Sequence, residues 1–289
     1  MLFKPKLPTD KSTCARGVYF FCCSLLLTLT AACATRPAAD LNLADEDPPA
    51  RTGTLGPATG ITGTAWAVMS VPAVQADGKP ADLNWEIFRV PGKEPTRYSY
   101  MQHEGRDAVL ATADATGSIL RHRQRVEPAE LGRINFSWKV PLTESRVNQS
   151  LPKLEDVPVR IVLAFEGDRS RFSFKNTLLN ELSLLLTGEE MPFATLIYAW
   201  SHVNKPGEVV LNDRTDRIRK LIVDSGDKGY NQWQSYERDV REDYLKAFGE
   251  EPGALLSFAV FTEGERNEGE LQAWYGPVKL QPLMVAGPK

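Results

Sequence analysis

The sequence predicts a mainly β protein, an antiparallel β-sandwich that carries two short helices. Three observations predict it. Between Asn84 and Leu280 about ten short stretches have strand character, turn residues separate them, and only two segments show helical spacing. A parallel α/β fold would place a helix between most strands, so the pattern favours two packed antiparallel sheets.

The strands follow in chain order. Trp85–Val90, Arg97–His103, Ala108–Thr112 and Ser118–Val126 come first. In the next, Ile134, Phe136, Trp138 and Val140 alternate with Asn135, Ser137 and Lys139, which is the period of a half-buried strand. Pro158–Glu166, Ala194–Ser201, Asp216–Asp224, Ala254–Thr262 and Leu271–Leu280 continue the series. The first helical segment is Asn176–Leu186, where leucines 178, 179, 182, 185 and 186 share one face. The second, Arg241–Phe248, brings Tyr244, Leu245 and Phe248 together and stops at Gly249, with Asp239 placed where an N-cap belongs.

The N-terminus predicts export. Lys4, Lys6, Lys11 and Arg16 face one acid, Asp10, and an uncharged run follows from Gly17 to Thr35. Its apolar centre is short and diluted by Ser24, Thr28 and Thr30, and it closes on Thr30-Ala31-Ala32 before Cys33. Those are the marks of a secretory signal rather than of a span, which needs about 20 apolar residues. The end resembles the lipobox of bacterial lipoproteins, which implies acylation of Cys33, although Leu29 sits one place early and Thr30 holds the usual Leu position. Plain cleavage is the alternative. The expected organisation is a signal peptide of lipoprotein type over 1–32, lipidated Cys33 with a Pro- and Asp-rich tether to residue 60, one sandwich domain over 61–283, and a tail over 284–289. For a bacterial lipoprotein of the enteric kind, a residue other than Asp after the cysteine, here Ala34, implies the periplasmic face of the outer membrane.

Composition narrows the chemistry. All four cysteines (Cys14, Cys22, Cys23 and Cys33) lie in or at the end of the export segment, so the domain has no thiol nucleophile or thiolate metal site. Removing residues 1–32 takes away four bases and one acid and moves the formal net charge from −3 to −6. Nucleic acid is therefore not an expected partner, since its binders carry a basic footprint.

Several motifs, in order, carry a family resemblance: Trp138-Lys139-Val140, Asp156 with Arg160, Tyr198-Ala-Trp200, Arg217-Ile-Arg219 leading to Ser225-Gly226, Trp233, Arg238-Asp239-Val240, Asp243-Tyr244, Phe248-Gly249 and Tyr275-Gly276. From Trp85 to Leu280 the chain resembles the bacterial family known as domain of unknown function 3047. The resemblance implies an envelope sandwich of jelly-roll type with no established activity. One departure stands out. Where the family often has an Asp-Thr-Asp-Asn run after Thr262, this chain has Glu263-Gly264-Glu265-Arg266-Asn267.

Candidate sites follow, each beside its structural alternative. Glu263, Glu265 and Asn267 could give oxygen ligands to a calcium ion, or be solvated turn residues. Arg121, Arg123 and Arg125 share one face of a strand and could grip anions, or could blunt an edge strand. The edge strand fits better, because His122 and Gln124 on the other face offer no apolar side. Trp200, Trp233, Tyr236 and Trp274 are candidate sugar platforms; Trp138 and Trp200 are expected in the core, and Trp233 in its polar stretch is expected to be exposed. Arg160 and Arg238 are candidate ligand contacts or partnered structural arginines, with Arg238 and Asp239 flanking the second helix. His202 is the first candidate for catalysis or binding, its alternative being a strand-end surface histidine.

No Gly-x-Ser-x-Gly elbow or His-Glu-x-x-His run is present, although a carboxylate pair would suffice for a glycosidase. The leading expectation is an envelope-anchored, non-enzymatic domain that binds a glycan or another envelope component. A glycan-active hydrolase or lyase on the same scaffold and a structural envelope protein are the alternatives.

Overall fold

A computed structural model describes residues 61–70, 82–142, 156–264, 270–281 and 283, with backbone alone for 156–158. The expected signal segment and tether, Cys33, Glu265, Asn267, the C-terminal residues 284–289 and the Asp156 side chain lie outside these residues.

The described chain forms thirteen strands: β1 (Trp85–Arg89), β2 (Arg97–His103), β3 (Arg106–Ala113), β4 (Gly117–Val126), β5 (Arg133–Lys139), β6 (Asp156–Phe165), β7 (Ala194–Ser201), β8 (Val209–Leu211), β9 (Ile218–Ser225), β10 (Gln234–Asp239), β11 (Leu255–Glu263), β12 (Leu271–Tyr275) and β13 (Lys279–Gln281). They build two sheets. One has the order β1-β4-β11-β6-β7-β9-β8, and the other has β10-β5-β12-β3-β2 with β13 also on β5. Strands from the two ends of the chain interleave, β11 lying between β4 and β6 and β12 between β3 and β5. That is the arrangement of a jelly-roll-type sandwich.

Two short strands and one helix add to the expected elements, and the strand expected over Leu271–Leu280 is instead two, β12 and β13, which pair with different stretches of the second sheet. β8 forms the outer edge and pairs antiparallel with β9, which leaves β9 parallel to β7. β10 carries Tyr236 inward, where alternation was masked by the charged Glu237 and Asp239 facing out. The added helix, α1 (Ala65–Ser70), buries Trp66 against Trp85 with ring centroids 4.6 Å apart.

The other helices match local signals. α2 (Phe174–Thr187) is capped by Ser173, whose hydroxyl accepts from Asn176 N, and ends at Gly188 in the left-handed region. α3 (Val240–Phe248) starts at Asp239, whose carboxylate accepts from Glu242 N, and ends at Gly249 with φ 70°.

The core lies between the sheets, where Trp138 and Trp200 are both buried. The arginine strand is corrected here. β4 is not an edge strand: it runs between β1 and β11, and His122 on its inner face is buried against Trp85 and Phe258. The arginines on its outer face are ion-paired. Arg121 and Arg123 both reach Glu86 and Glu189, and Arg125 reaches Glu127 and Glu166. Hydrogen bonds from Arg121 hold the Glu189 carboxyl below its ordinary value. No helix among the described residues is long and apolar enough to cross a membrane.

Candidate functional site

A polar-aromatic cluster lies on the outer face of the second sheet. Its construction begins with the turn between β2 and β3. Glu104 (φ 52°) and Gly105 (φ 74°) both adopt left-handed backbone, which closes a tight two-residue hairpin and pairs His103 with Arg106. His103 then lies on the outward side of β2, together with Met101. On β12, Leu271, Ala273 and Tyr275 point inward, so Trp274 points outward, opposite Leu110 of β3 and Lys139 of β5. The two outward rings meet: His103 and Trp274 stack with centroids 4.2 Å apart and planes 10° from parallel. Trp274 Nε1 lies 3.3 Å from Met101 Sδ. Ala108, paired with Met101 and outside the core cluster, is nonetheless buried, as an outer-face residue roofed by these rings would be.

Trp233 joins them from the other side. Asn231 (φ 59°) turns the chain into β10, with its N–H donating to Val140 O and its side-chain oxygen accepting from Leu142 N. This places Trp233 6.2 Å from the His103 ring, with the Arg106 guanidinium 5.2 Å from its own centroid. Lys139 donates to the Glu104 carboxylate, and this hydrogen bond holds the Glu104 carboxyl below its ordinary value. The result is a partly exposed aromatic surface rimmed by Arg106 and Glu104, with Lys139 buried behind Glu104.

The loop that carries Trp233 holds a second group at its start. Trp200 Nε1 donates to Gly226 O, and Gly229 packs so tightly on Trp200 that a Cβ there would sit 2.8 Å from the indole. Tyr230 packs on the same ring at 4.9 Å. Asp227 lies 3.0 Å from His202 Nδ1, and the Tyr230 hydroxyl lies 3.0 Å from His202 Nε2. In the neutral tautomer these partners select, Nδ1–H donates to the carboxylate and Nε2 accepts from the phenol. His202 is thus part of an Asp-His-Tyr line, a grouping hidden in sequence because Asp227 and Tyr230 lie on another loop.

The remaining candidates sit elsewhere. Arg238 grips Asp243 through two nitrogens, and Asp243 is 3% exposed and also accepts from the Tyr198 hydroxyl at 3.0 Å. That arginine is committed to structure and faces away from the aromatic surface. Tyr236 is a core residue rather than a platform; it packs on Phe136 and Trp138 and donates to Asp224 at 2.7 Å. Arg160 lies 3.6 Å from Glu263 and over the Phe261 ring. Glu263 also pairs with Lys93 at 2.5 Å, so its two oxygens face cationic side chains. Among the described residues no group of three or more His, Cys, Asp or Glu is arranged to hold a metal ion.

A family model described as "Protein of unknown function (DUF3047)" matches residues 83–279, more than half of the chain. The chain belongs to the DUF3047 family. Both groups of residues described above fall within the matched span, so this DUF3047 domain contains them whole. No curated protein matches the chain. Among solved structures it is similar to one described as "CBM4 structure and function", with TM-score 0.31 and 11% identity over 68% of this chain and 86% of that one. It is also similar to the family 11 xylanase from Neocallimastix patriciarum, with TM-score 0.29 and 9% identity over 67% of this chain and 87% of that one.

Proposed function

We propose that this DUF3047 protein is a glycan-binding module of the bacterial envelope, held at the membrane through Cys33. The observation that carries the binding function is the outward aromatic group of Trp274, His103 and Trp233. Flat rings present apolar faces that match the C–H face of a pyranose. Arg106 and Glu104 around them supply donors and acceptors for hydroxyls. A sheet face keeps such rings fixed, so little side-chain entropy is lost on binding.

The test is a glycan array with envelope polysaccharides, repeated with Trp274→Ala and Trp233→Ala. Loss of binding in both variants supports the proposal. No binding by the wild-type protein, or binding indifferent to both substitutions, overturns it.

The Asp227-His202-Tyr230 line favours a second function, glycan hydrolysis or elimination. There the carboxylate would orient His202, and Nε2 would exchange a proton with the phenol. Turnover of any bound glycan that disappears in His202→Ala would establish it, whereas unchanged glycan after prolonged incubation with wild type would dismiss it.

A further inference from the structure

α2 is mounted with its polar side inward. Asn176, Asn180, Ser183 and Thr187 recur at helical spacing and form one stripe, which is the stripe held by the protein. Asn176 donates to Asp216 at 2.6 Å and accepts from the Thr215 hydroxyl at 2.7 Å. The Asn180 side chain accepts from Met191 N, and the Ser183 and Thr187 hydroxyls reach Glu189 O. The opposite stripe is apolar and faces outward. Phe174 is 86% exposed and Leu185 85%, with Leu178 and Leu182 between them also exposed. This reverses the usual amphipathic arrangement, in which leucines turn to the core.

Two further observations indicate what covers this face. First, α2 has only Lys175 and Glu181 as charged residues, so its outer surface is nearly uncharged as well as apolar. Second, the described chain begins beside the same region. Trp85 N donates to the Thr62 hydroxyl at the start of β1, and the next residue, Glu86, is bridged by Arg121 and Arg123 to Glu189 just past the end of α2. The chain at Ile61–Thr62, where this stretch of described residues begins, therefore lies near the C-terminal end of α2. Residues 34–60, 27 in all, separate Cys33 from Ile61 in the sequence.

We infer that the Phe174-Leu178-Leu182-Leu185 face docks on a lipid bilayer, holding the domain flat on the membrane to which Cys33 tethers it. The inference rests on the proposed anchor for proximity and is independent of the glycan proposal. α2 is 14 residues long, about 21 Å, and so is too short to cross a hydrocarbon core of about 30 Å. It lies in the interface plane, with its leucines in the acyl boundary and its polar stripe kept against the protein.

The experiment places a reporter on the face. The full chain carrying Leu185→Trp is mixed with vesicles of phosphatidylethanolamine and phosphatidylglycerol, with or without bromine on the acyl chains. Expected are a blue-shifted emission on vesicle addition and quenching by brominated lipid several-fold greater than for the wild-type chain. The further substitutions Leu178→Glu and Leu182→Glu should abolish both effects while leaving the melting temperature unchanged, because these side chains are already exposed. Vesicle binding without quenching of the new tryptophan would overturn the inference, since the N-terminal segment alone would then hold the membrane. A blue shift that grows with protein concentration in the absence of lipid, with dimers on sedimentation, would overturn it in favour of a second copy.

Discussion

The imidazole of His103 lies 4.2 Å from the indole of Trp274 and within 10° of parallel to it, although the two residues come from opposite ends of the domain. The stack fixes the orientation of a ring that is not buried. Trp274→Ala should therefore weaken glycan binding about tenfold or more, the equivalent of about 1.4 kcal/mol. His103→Ala should weaken it less, because the indole remains but loses its support, worth about 0.5–1.5 kcal/mol for an aromatic pair. Titration calorimetry with the best array hit measures both. Equal affinity in wild type and Trp274→Ala would remove Trp274 from the site.

Lys139 is 8% exposed and donates to Glu104, which occupies a left-handed turn position. Asn accepts that backbone more readily than Glu. Turn preference alone would make Glu104→Asn stabilising. Loss of the partner of a nearly buried ammonium should dominate instead and lower the midpoint of urea unfolding. A stabilised variant would show that the Lys139 ammonium reaches water without Glu104.

What was legible in the sequence was local. The alternation of Ile134, Phe136 and Trp138 identified β5, and Asp239 with Gly249 bracketed α3 within a residue, because each signal is set by neighbours a few positions away. The side to which a pattern turns was less legible. The leucine stripe of α2 was apparent from its spacing, yet the polar stripe is the attached one, since Asp216, Thr215 and Glu189 supply partners that periodicity does not reveal. Likewise the Arg121-Arg123-Arg125 face was visible, but its strand is internal because β11, far along the chain, pairs beside it. Of the candidate site, Trp233 and Trp274 were named from the sequence. His103 and Arg106 were not, because only the Glu104-Gly105 hairpin and the register of β2, β3 and β12 bring them there.

Asp243 illustrates a buried charge with every partner in place. It accepts from Arg238 and from Tyr198, whose hydroxyl is held well above its ordinary pKa by burial and by the adjacent carboxylate. Asp243→Ala leaves the buried Tyr198 phenol and the partly exposed Arg238 guanidinium without their acceptor and should cost about 1–3 kcal/mol. The double variant Asp243→Leu/Arg238→Met should recover part of that loss, because it removes the stranded charge as well. Chemical denaturation of the three proteins decides. No measurable effect of Asp243→Ala would mean that the ion pair contributes nothing to stability.

His122 gives the fold a pH dependence with a definite sign. It is buried between Trp85 and Phe258, and its Nδ1 lies 2.9 Å from Asn84 O, so the neutral ring donates there. Burial disfavours the imidazolium and lowers the pKa below the ordinary 6.5. In the unfolded chain the ring titrates near 6.5, so between that value and the lower folded value the unfolded state binds more protons. The contribution of His122 is therefore complete above pH 6.5 and is lost as pH falls through the folded pKa, with each unit of depression equivalent to about 1.4 kcal/mol. Unfolding free energies should decline from pH 7.5 to 5 in the wild-type protein. His122→Phe forfeits the bond to Asn84 O and should be less stable at pH 7.5, but its profile should be flatter over the same interval. A parallel decline in both proteins would assign the acid sensitivity to other groups.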